Sequence, residues 1–225
     1  VISDLNLELI DTYRAIQQDV ERVIELLISH SKRHCEDYYY RVRSLDLEKR
    51  HYTKKAARMI YLNKTCYNGL YRVNRQGKFN VPFGSYKSPR ICDEENLREV
   101  STALKNVQLE CKSFEDVINA AGENDLVYFD PPYEPISKTA NFTAYQAEGF
   151  RRDSQIKLSE VCHQLHRKKV KFILSNSSSK RVRDLYTSNG FSVDKVKAIR
   201  AINSNPQKRG KLTELIVTNY LPEDA

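Results

Sequence analysis

Apolar side chains recur at helical spacing near the start of the chain. Leu9, Ile10, Tyr13, Ile16, Val20, Val23, Ile24 and Leu27 fall on one face of a 3.6-residue repeat. They predict a helix that opens at Asp4-Leu5-Asn6 and runs to about Ser31. Val1-Ile2-Ser3-Asp4 before it reads as the tail of a strand. Short helices are expected over about Glu36–Ser44 and Lys54–Asn68, the second with Ala57, Ile60, Tyr61 and Leu62 in the core. The pattern then breaks into short β-like pieces punctuated by Asn68-Gly69 and Gly77-Lys78, which predicts a hairpin presented from a small helical region. A helix over Asp93–Leu104, a short strand over Val107–Glu110 and a helix over Glu115–Ala121 follow.

Leu126-Val127-Tyr128-Phe129 is a compact run of β-formers. It predicts a central strand buried on both faces, stopped by Pro131-Pro132, which cannot donate ladder hydrogen bonds. Glu134 to Phe150 is a long, unpatterned connection of the kind that often serves as a lid. Asp153 is expected to cap a helix reaching about Arg167. Val170–Leu174 forms the next strand, with Ser175-Asn176-Ser177 at its ligand-facing end. A helix over about Ser178–Ser188 ends at Asn189-Gly190. Phe191–Ala198 and Leu212–Tyr220 close the chain as a strand pair. Strands alternating with helices in 225 residues predict one large α/β domain or one with a substantial insert.

Charge sharpens this picture through its distribution. From Lys49 to Arg90 there are eleven Lys and Arg and no acid, interleaved with five tyrosines and two phenylalanines. The total is +8, so the remainder carries −3. A basic character confined to one segment favours a nucleic-acid face over a merely solvated surface. Lys195 to Lys211 holds six further basic residues and no acid; phosphate contacts, with Lys208 and Arg209 among them, are expected there. No apolar stretch is long enough to span a bilayer, and the first residues carry no signal-peptide pattern. Five scattered cysteines without CxxC or Cys/His spacing predict reduced thiols, a cytoplasmic location and no metal.

Chemistry concentrates at Asp130-Pro131-Pro132-Tyr133. Asp130 stands at the carboxyl end of a strand, the edge at which open α/β sheets place ligands. An exocyclic amine of a nucleobase is a poor nucleophile because its lone pair is delocalised into the ring. The carboxylate of Asp130 and the carbonyl of Pro131 can each accept one N–H of such an amine and let the nitrogen pyramidalise. Pro132 stiffens that backbone, and Tyr133 offers a flat face for an extruded base. The same residues also suit a strand that simply ends in a proline turn. Asp4, at the end of the first strand, suits either ribose hydroxyls or a helix cap.

The run from Asp130 through Tyr133 to Tyr145, read as Asp-Pro-Pro-Tyr-Glu-Pro-Ile-Ser-Lys-Thr-Ala-Asn-Phe-Thr-Ala-Tyr, closely resembles the Dam-type, D12 class DNA adenine-N6 methyltransferases. The likeness covers nearly the whole chain. It implies an α/β methyltransferase core with a mixed, mostly parallel sheet over residues 1–32 and 107–225, and an inserted helical and hairpin target-recognition subdomain over 33–106. It implies S-adenosyl-L-methionine as cofactor, held by Asp4, Ser113, Phe114 and Asp130. Ser3-Asp4-Leu5-Asn6 matches the family's ribose-binding acid. Tyr67-Asn68-Gly69-Leu70 and Phe79-Asn80-Val81-Pro82-Phe83-Gly84 resemble the family's recognition hairpin. By that resemblance Arg72 reads a guanine, Leu70 and Pro82 make apolar base contacts, Tyr67 and Asn68 wedge near the vacated stack, and Asn74 joins the DNA contacts. Lys138, Asn141, Phe142 and Tyr145 are expected to touch DNA or the flipped adenine. Members with this hairpin typically act on the adenine of GATC. Ser85 stands where the family often has Arg, which weakens one phosphate contact.

Family members carry a glycine-rich first strand upstream of Asp4, and no G-x-G stretch occurs here. The sequence is therefore expected to begin in mid-fold, as a truncated form. Double-stranded DNA is the expected partner and a monomer the expected state in solution. Two rivals stand beside a DNA methyltransferase of a restriction-modification, repair or regulatory kind. One is a DNA-binding fragment that lacks catalysis. The other is an RNA or protein-amide methyltransferase, although relatives acting on protein amides commonly carry Asn where Asp130 stands.

Overall fold

The computed structural model describes residues 1–47, 50–133, 150, 152–199 and 211–220. The chain forms two compact units, Val1–Phe114 and Glu115–Ala225.

The first unit is mainly helical. A two-residue strand β1 (Ile2–Ser3) leads into α1 (Leu7–Lys32), followed by α2 (Glu36–Ser44), α3 (Tyr52–Thr65), α4 (Glu94–Leu104) and β2 (Leu109–Glu110). β1 and β2 pair in parallel, Ile2 opposite Leu109 and Ser3 opposite Glu110. α1 is capped by Asn6, whose side chain accepts from the Leu9 amide at 3.2 Å, so Asp4 does not cap it. Ile10, Ile16, Val23, Ile24 and Leu27 of its apolar face are buried. The expected helix is interrupted at Asp19, whose φ of −152° and ψ of 60° are not helical. The Asp19 carboxylate accepts from the Arg22 amide at 3.3 Å, restarting the helix as a cap does. Ala57, Tyr61 and Leu62 of α3 are buried as expected, and Ile60 packs partly buried against them. Helix α3 starts two residues before the expected Lys54 and stops at Thr65, where the chain turns out into the hairpin.

Arg58 is buried on α3 and stays bonded. It donates to the carbonyls of Val42 at 2.9 Å and Arg43 at 2.7 Å, and pairs with Glu8 at 3.3 Å. It thereby bonds carbonyls of the last turn of α2, that of Val42 accepting also from the capping Leu45 amide at 3.4 Å.

An aromatic cluster joins α1, α2, α3 and the hairpin. The His30 ring stacks on Tyr61 with centroids 4.8 Å apart, and its Nδ1 lies 2.7 Å from the Tyr38 hydroxyl. His34 Nδ1 is 3.0 Å from the Tyr61 hydroxyl, and Tyr39 donates to the Val81 carbonyl at 2.9 Å. Burial, reinforced by the charge of Arg33, holds the His30 pKa down to about 4 from 6.5. Burial lowers His34 as well. Unfolding frees these rings to take up protons, so stability is fully present above about pH 6.5 and is lost as pH falls towards about 4. The expected loss from His30 is on the order of 1–2 kcal/mol, allowing for solvent at a partly exposed ring. Urea unfolding midpoints between pH 7 and pH 4 check this; His30→Gln should flatten the slope, and an unchanged slope would contradict the assignment.

The second unit is a four-stranded mixed sheet under helices. Its elements are α5 (Val117–Ala120), β3 (Leu126–Phe129), α6 (Arg152–Arg167), β4 (Lys171–Ser177), α7 (Lys180–Thr187), β5 (Ser192–Ile199) and β6 (Lys211–Thr218). The strand order is β3-β4-β6-β5. β3 and β4 are parallel, while β6 runs antiparallel to both β4 and β5. Phe129, Phe172, Leu174, Leu215 and Val217 pack with Leu158, Val161, Cys162 and Leu165 of α6 and Val182 and Tyr186 of α7 in the buried core. Helix α6 ends with the Val170 amide donating back to the Leu165 carbonyl at 3.0 Å, and Lys169 takes a left-handed φ of 58°. This is a Schellman stop without the usual glycine. α7 is followed by Gly190 at φ +79°, close to the expected Asn189-Gly190 cap.

Several expectations are corrected. β3 lies at one end of the strand order instead of the centre. It is buried on one face only: Leu126 is 58% and Tyr128 61% exposed, whereas Phe129 is buried. Strand side chains alternate between faces, and the helices of this unit cover the face of Phe129. The strand expected over Val107–Glu110 is confined to Leu109–Glu110. The helix expected over Glu115–Ala121 is a 3-10 turn at Phe114–Asp116 followed by one turn of α-helix. Asp153 lies in the first turn of α6, not at its cap.

Candidate active site

The site is built from the carboxyl ends of β3 and β4. Their register puts Phe129 opposite Leu174, so the next step sets Asp130 beside Ser175. Asp130 is exposed, while Ser175 is only 4% exposed. The Ser175 hydroxyl donates to Asp130 Oδ1 at 2.8 Å. Tyr128, two residues back on the face of Asp130, donates its hydroxyl to Ser175 Oγ at 3.3 Å. Pro131, Pro132 and Tyr133 follow, each partly buried, with φ held by the two proline rings. The Tyr133 hydroxyl donates to Glu214 Oε2 of β6 at 3.2 Å. Burial pushes the Tyr133 phenol up to about 12; a hydrogen bond with Ser175 works against the rise, and the charges of Asp130 and Glu214 add to it. The phenol therefore stays neutral, and its hydroxyl fixes the ring.

Beyond Ser175 the end of β4 stays polar although buried. Asn176 donates to Gln155 Oε1 at 3.1 Å and accepts from the Ser177 amide at 2.8 Å. Gln155 Nε2 and Ser177 Oγ are buried without a hydrogen-bond partner among the described residues. Ser175-Asn176-Ser177 occupies the ligand-facing strand end expected from the sequence, where none of the three carried an individual role. Three polar residues directly after Phe172-Ile173-Leu174 were the available signal. Glu214 offered none, since it sits in an ordinary alternating strand.

The first unit holds the other candidate residues. Asp4 follows β1; its amide donates to the Glu110 carbonyl at 3.3 Å, and its Oδ1 accepts from the Asn6 amide at 2.6 Å. Ser113 and Phe114 follow β2, so all three lie off the carboxyl edge of the same parallel pair. The hairpin is held by single bridges, Cys66 with Phe83 and Val73 with Phe79, in place of continuous strands. Asn68 and Gly69 both take left-handed φ, 55° and 61°, with the Leu70 amide donating to the Tyr67 carbonyl at 3.3 Å. This is the type I′ turn that Asn-Gly favours. The Tyr67 amide donates to the Pro82 carbonyl at 2.9 Å, bringing those two exposed residues together. Gly84 closes the base: a Cβ there would sit 2.7 Å from the Cys66 carbonyl oxygen. Arg72 is exposed, and its Nε and one terminal nitrogen donate to Asn80 at 2.7 and 3.1 Å. Asn74 spends its side-chain oxygen on the amides of Gln76 and Lys78, at 2.9 and 3.0 Å. Leu70 is partly buried. Lys138, Asn141, Phe142, Tyr145, Lys208 and Arg209 lie outside the described residues.

Among the described residues no helix is long and apolar enough to cross a membrane, and no group of three or more His, Cys, Asp or Glu could hold a metal ion.

An acid at the end of a parallel strand, backed by a stiffened turn and an anchored tyrosine, suits group transfer to an amine within a mixed α/β fold. The sequence profile of the D12 class N6 adenine-specific DNA methyltransferases matches residues 1–202, and the chain belongs to that class. It is 42% identical over 226 residues to the type II methyltransferase M1.LlaDCHI of Lactococcus lactis subsp. cremoris, covering 98% of this chain and 79% of that protein. It is 42% identical over 233 residues to the type II methyltransferase M.MjaIII of Methanocaldococcus jannaschii, covering 98% and 80%. It is 33% identical over 220 residues to the DNA adenine methylase of Escherichia coli, covering 96% and 77%. The protein is thus an enzyme of adenine-specific DNA methylation, and its family implies a methyl donor.

Proposed function

We propose that the protein transfers a methyl group from S-adenosyl-L-methionine to N6 of an adenine flipped out of duplex DNA, with GATC as its target. The observation that carries this is the exposed carboxylate of Asp130 at the strand end, directly followed by two prolines and an anchored Tyr133. The adenine amine is unreachable inside the stack, so extrusion precedes chemistry. Asp130 accepts one N–H and the Pro131 carbonyl the other. Both acceptors lie on stiffened backbone, so the nitrogen lone pair is freed from the ring and held in one direction. Pro132 fixes the turn, and Tyr133 stacks on the base.

The donor set fits the cofactor in its adenosine half. Asp4 presents a carboxylate to ribose hydroxyls and Phe114 an aromatic ring to adenine, with Ser113 beside it, all at one sheet edge. When bound, the sulfonium supplies an electrophilic methyl carbon.

Residues 33–106 form the target-recognition part in this reading, and 1–32 with 107–225 the catalytic core. Arg72 reads a guanine, Leu70 and Pro82 contact bases, and Tyr67 and Asn68 fill the vacated stack. Asn74 serves first to hold its own turn. GATC rests on the hairpin's resemblance alone; the relatives named DNA adenine methylase support adenine as the base methylated. Transfer of labelled methyl to an unmethylated GATC duplex, with a scrambled duplex as control, tests the reading. Label on GATC alone is expected; equal label on both would remove the target assignment.

A further inference from the structure

We propose that Ser175 is a positioning residue for methyl transfer, acting through the Asp130 carboxylate. The inference rests on the reading of Asp130 as the acceptor of the adenine amine. An exposed aspartate turns easily, because its terminal torsion is broad and water accepts any orientation. Here a buried hydroxyl on β4, a strand paired on both sides, reaches out and donates to Oδ1 at 2.8 Å. The hydroxyl has one proton and two further acceptors within reach, the Phe129 carbonyl at 3.5 Å and the Tyr133 hydroxyl oxygen. The short, charge-assisted bond to Asp130 takes it. Tyr128 donates into the same oxygen at 3.3 Å, which occupies a lone pair of Ser175 and aims its proton at the carboxylate. With Oδ1 engaged, Oδ2 is left to accept the amine, and the plane of the carboxylate is set before substrate arrives. Preorganisation of this kind counts in the rate, since misplacing a reacting group by about 1 Å can cost about 10²-fold.

Because Asp130 is exposed, water replaces the lost donor when Ser175 becomes alanine, so folding is little affected while alignment is lost. The test uses the protein as its gene encodes it, with tritiated S-adenosylmethionine and unmethylated genomic DNA, which makes it independent of the target sequence. Single-turnover rate, DNA affinity and Tm are measured for wild type, Ser175→Ala, Ser175→Thr and Asp130→Ala. Ser175→Ala is expected to slow transfer roughly 10- to 100-fold, with unchanged DNA affinity and Tm. Ser175→Thr, which keeps the hydroxyl, should restore the rate to within about threefold. A wild-type rate in Ser175→Ala, an equal loss in both serine variants, or a loss that follows a fall in Tm would overturn the positioning role. A wild-type rate in Asp130→Ala would instead remove the catalytic reading on which the role depends.

Discussion

Asp130→Ala lowers methyl transfer at least about a thousandfold, roughly 4 kcal/mol of transition-state stabilisation, while DNA affinity stays within about threefold of wild type. The size follows from the role proposed for the carboxylate. The amine gains nucleophilicity only as its nitrogen pyramidalises, and both N–H bonds must then find acceptors outside the ring plane. Without Asp130 one of them faces water or nothing, and the charge that builds on the nitrogen loses the anion beside it. The binding prediction follows from sign. Asp130 is exposed and negative, so next to phosphates it opposes binding; removing it leaves the electrostatic part of the affinity intact or slightly improved. Filter binding and single-turnover transfer on the same duplex separate the two quantities. A variant that loses both equally would show Asp130 to be structural.

Arg72→Ala is expected to cost about 1–3 kcal/mol of discrimination at one base pair, roughly 5- to 150-fold. Arg72 is an exposed cation, yet Asn80 holds it at two of its nitrogens across the hairpin. A guanidinium has five N–H donors, so this tether still leaves a pair for guanine O6 and N7, and it removes rotamer freedom that binding would otherwise have to quench. Competition between duplexes varied at each target position reads the effect. Relaxed preference at a single position supports base readout. Uniform weakening with a salt slope smaller by about one would assign Arg72 to a phosphate instead.

Much of this architecture was legible because its signals are local. The apolar stripe of α1, the acidic start of α4, the Asn68-Gly69 turn and the Asn189-Gly190 stop each depend on a few neighbouring residues, and each stands within a residue or two of its expected place. Asp130 was legible for the same reason: a strand, an acid and two prolines are contiguous. The misreadings have a common cause. Leu126-Val127-Tyr128-Phe129 has the composition of a strand covered on both faces, but composition does not say which faces neighbours cover, and two of its four side chains are exposed. The break at Asp19 is equally silent, since apolar spacing continues on either side of it.

What the chain order carries is therefore the element types, the family and the acid at the strand end. Which residues serve that acid was decided by strand register. Ser175 lies 45 residues beyond Asp130, and Glu214 lies 81 beyond Tyr133; they meet because β3 runs parallel to β4 and β4 antiparallel to β6. Pairing of strands is a cooperative outcome of burial and ladder hydrogen bonds over the whole unit. No short window of sequence contains it, and the orientation of the carboxylate is settled only when the sheet has formed.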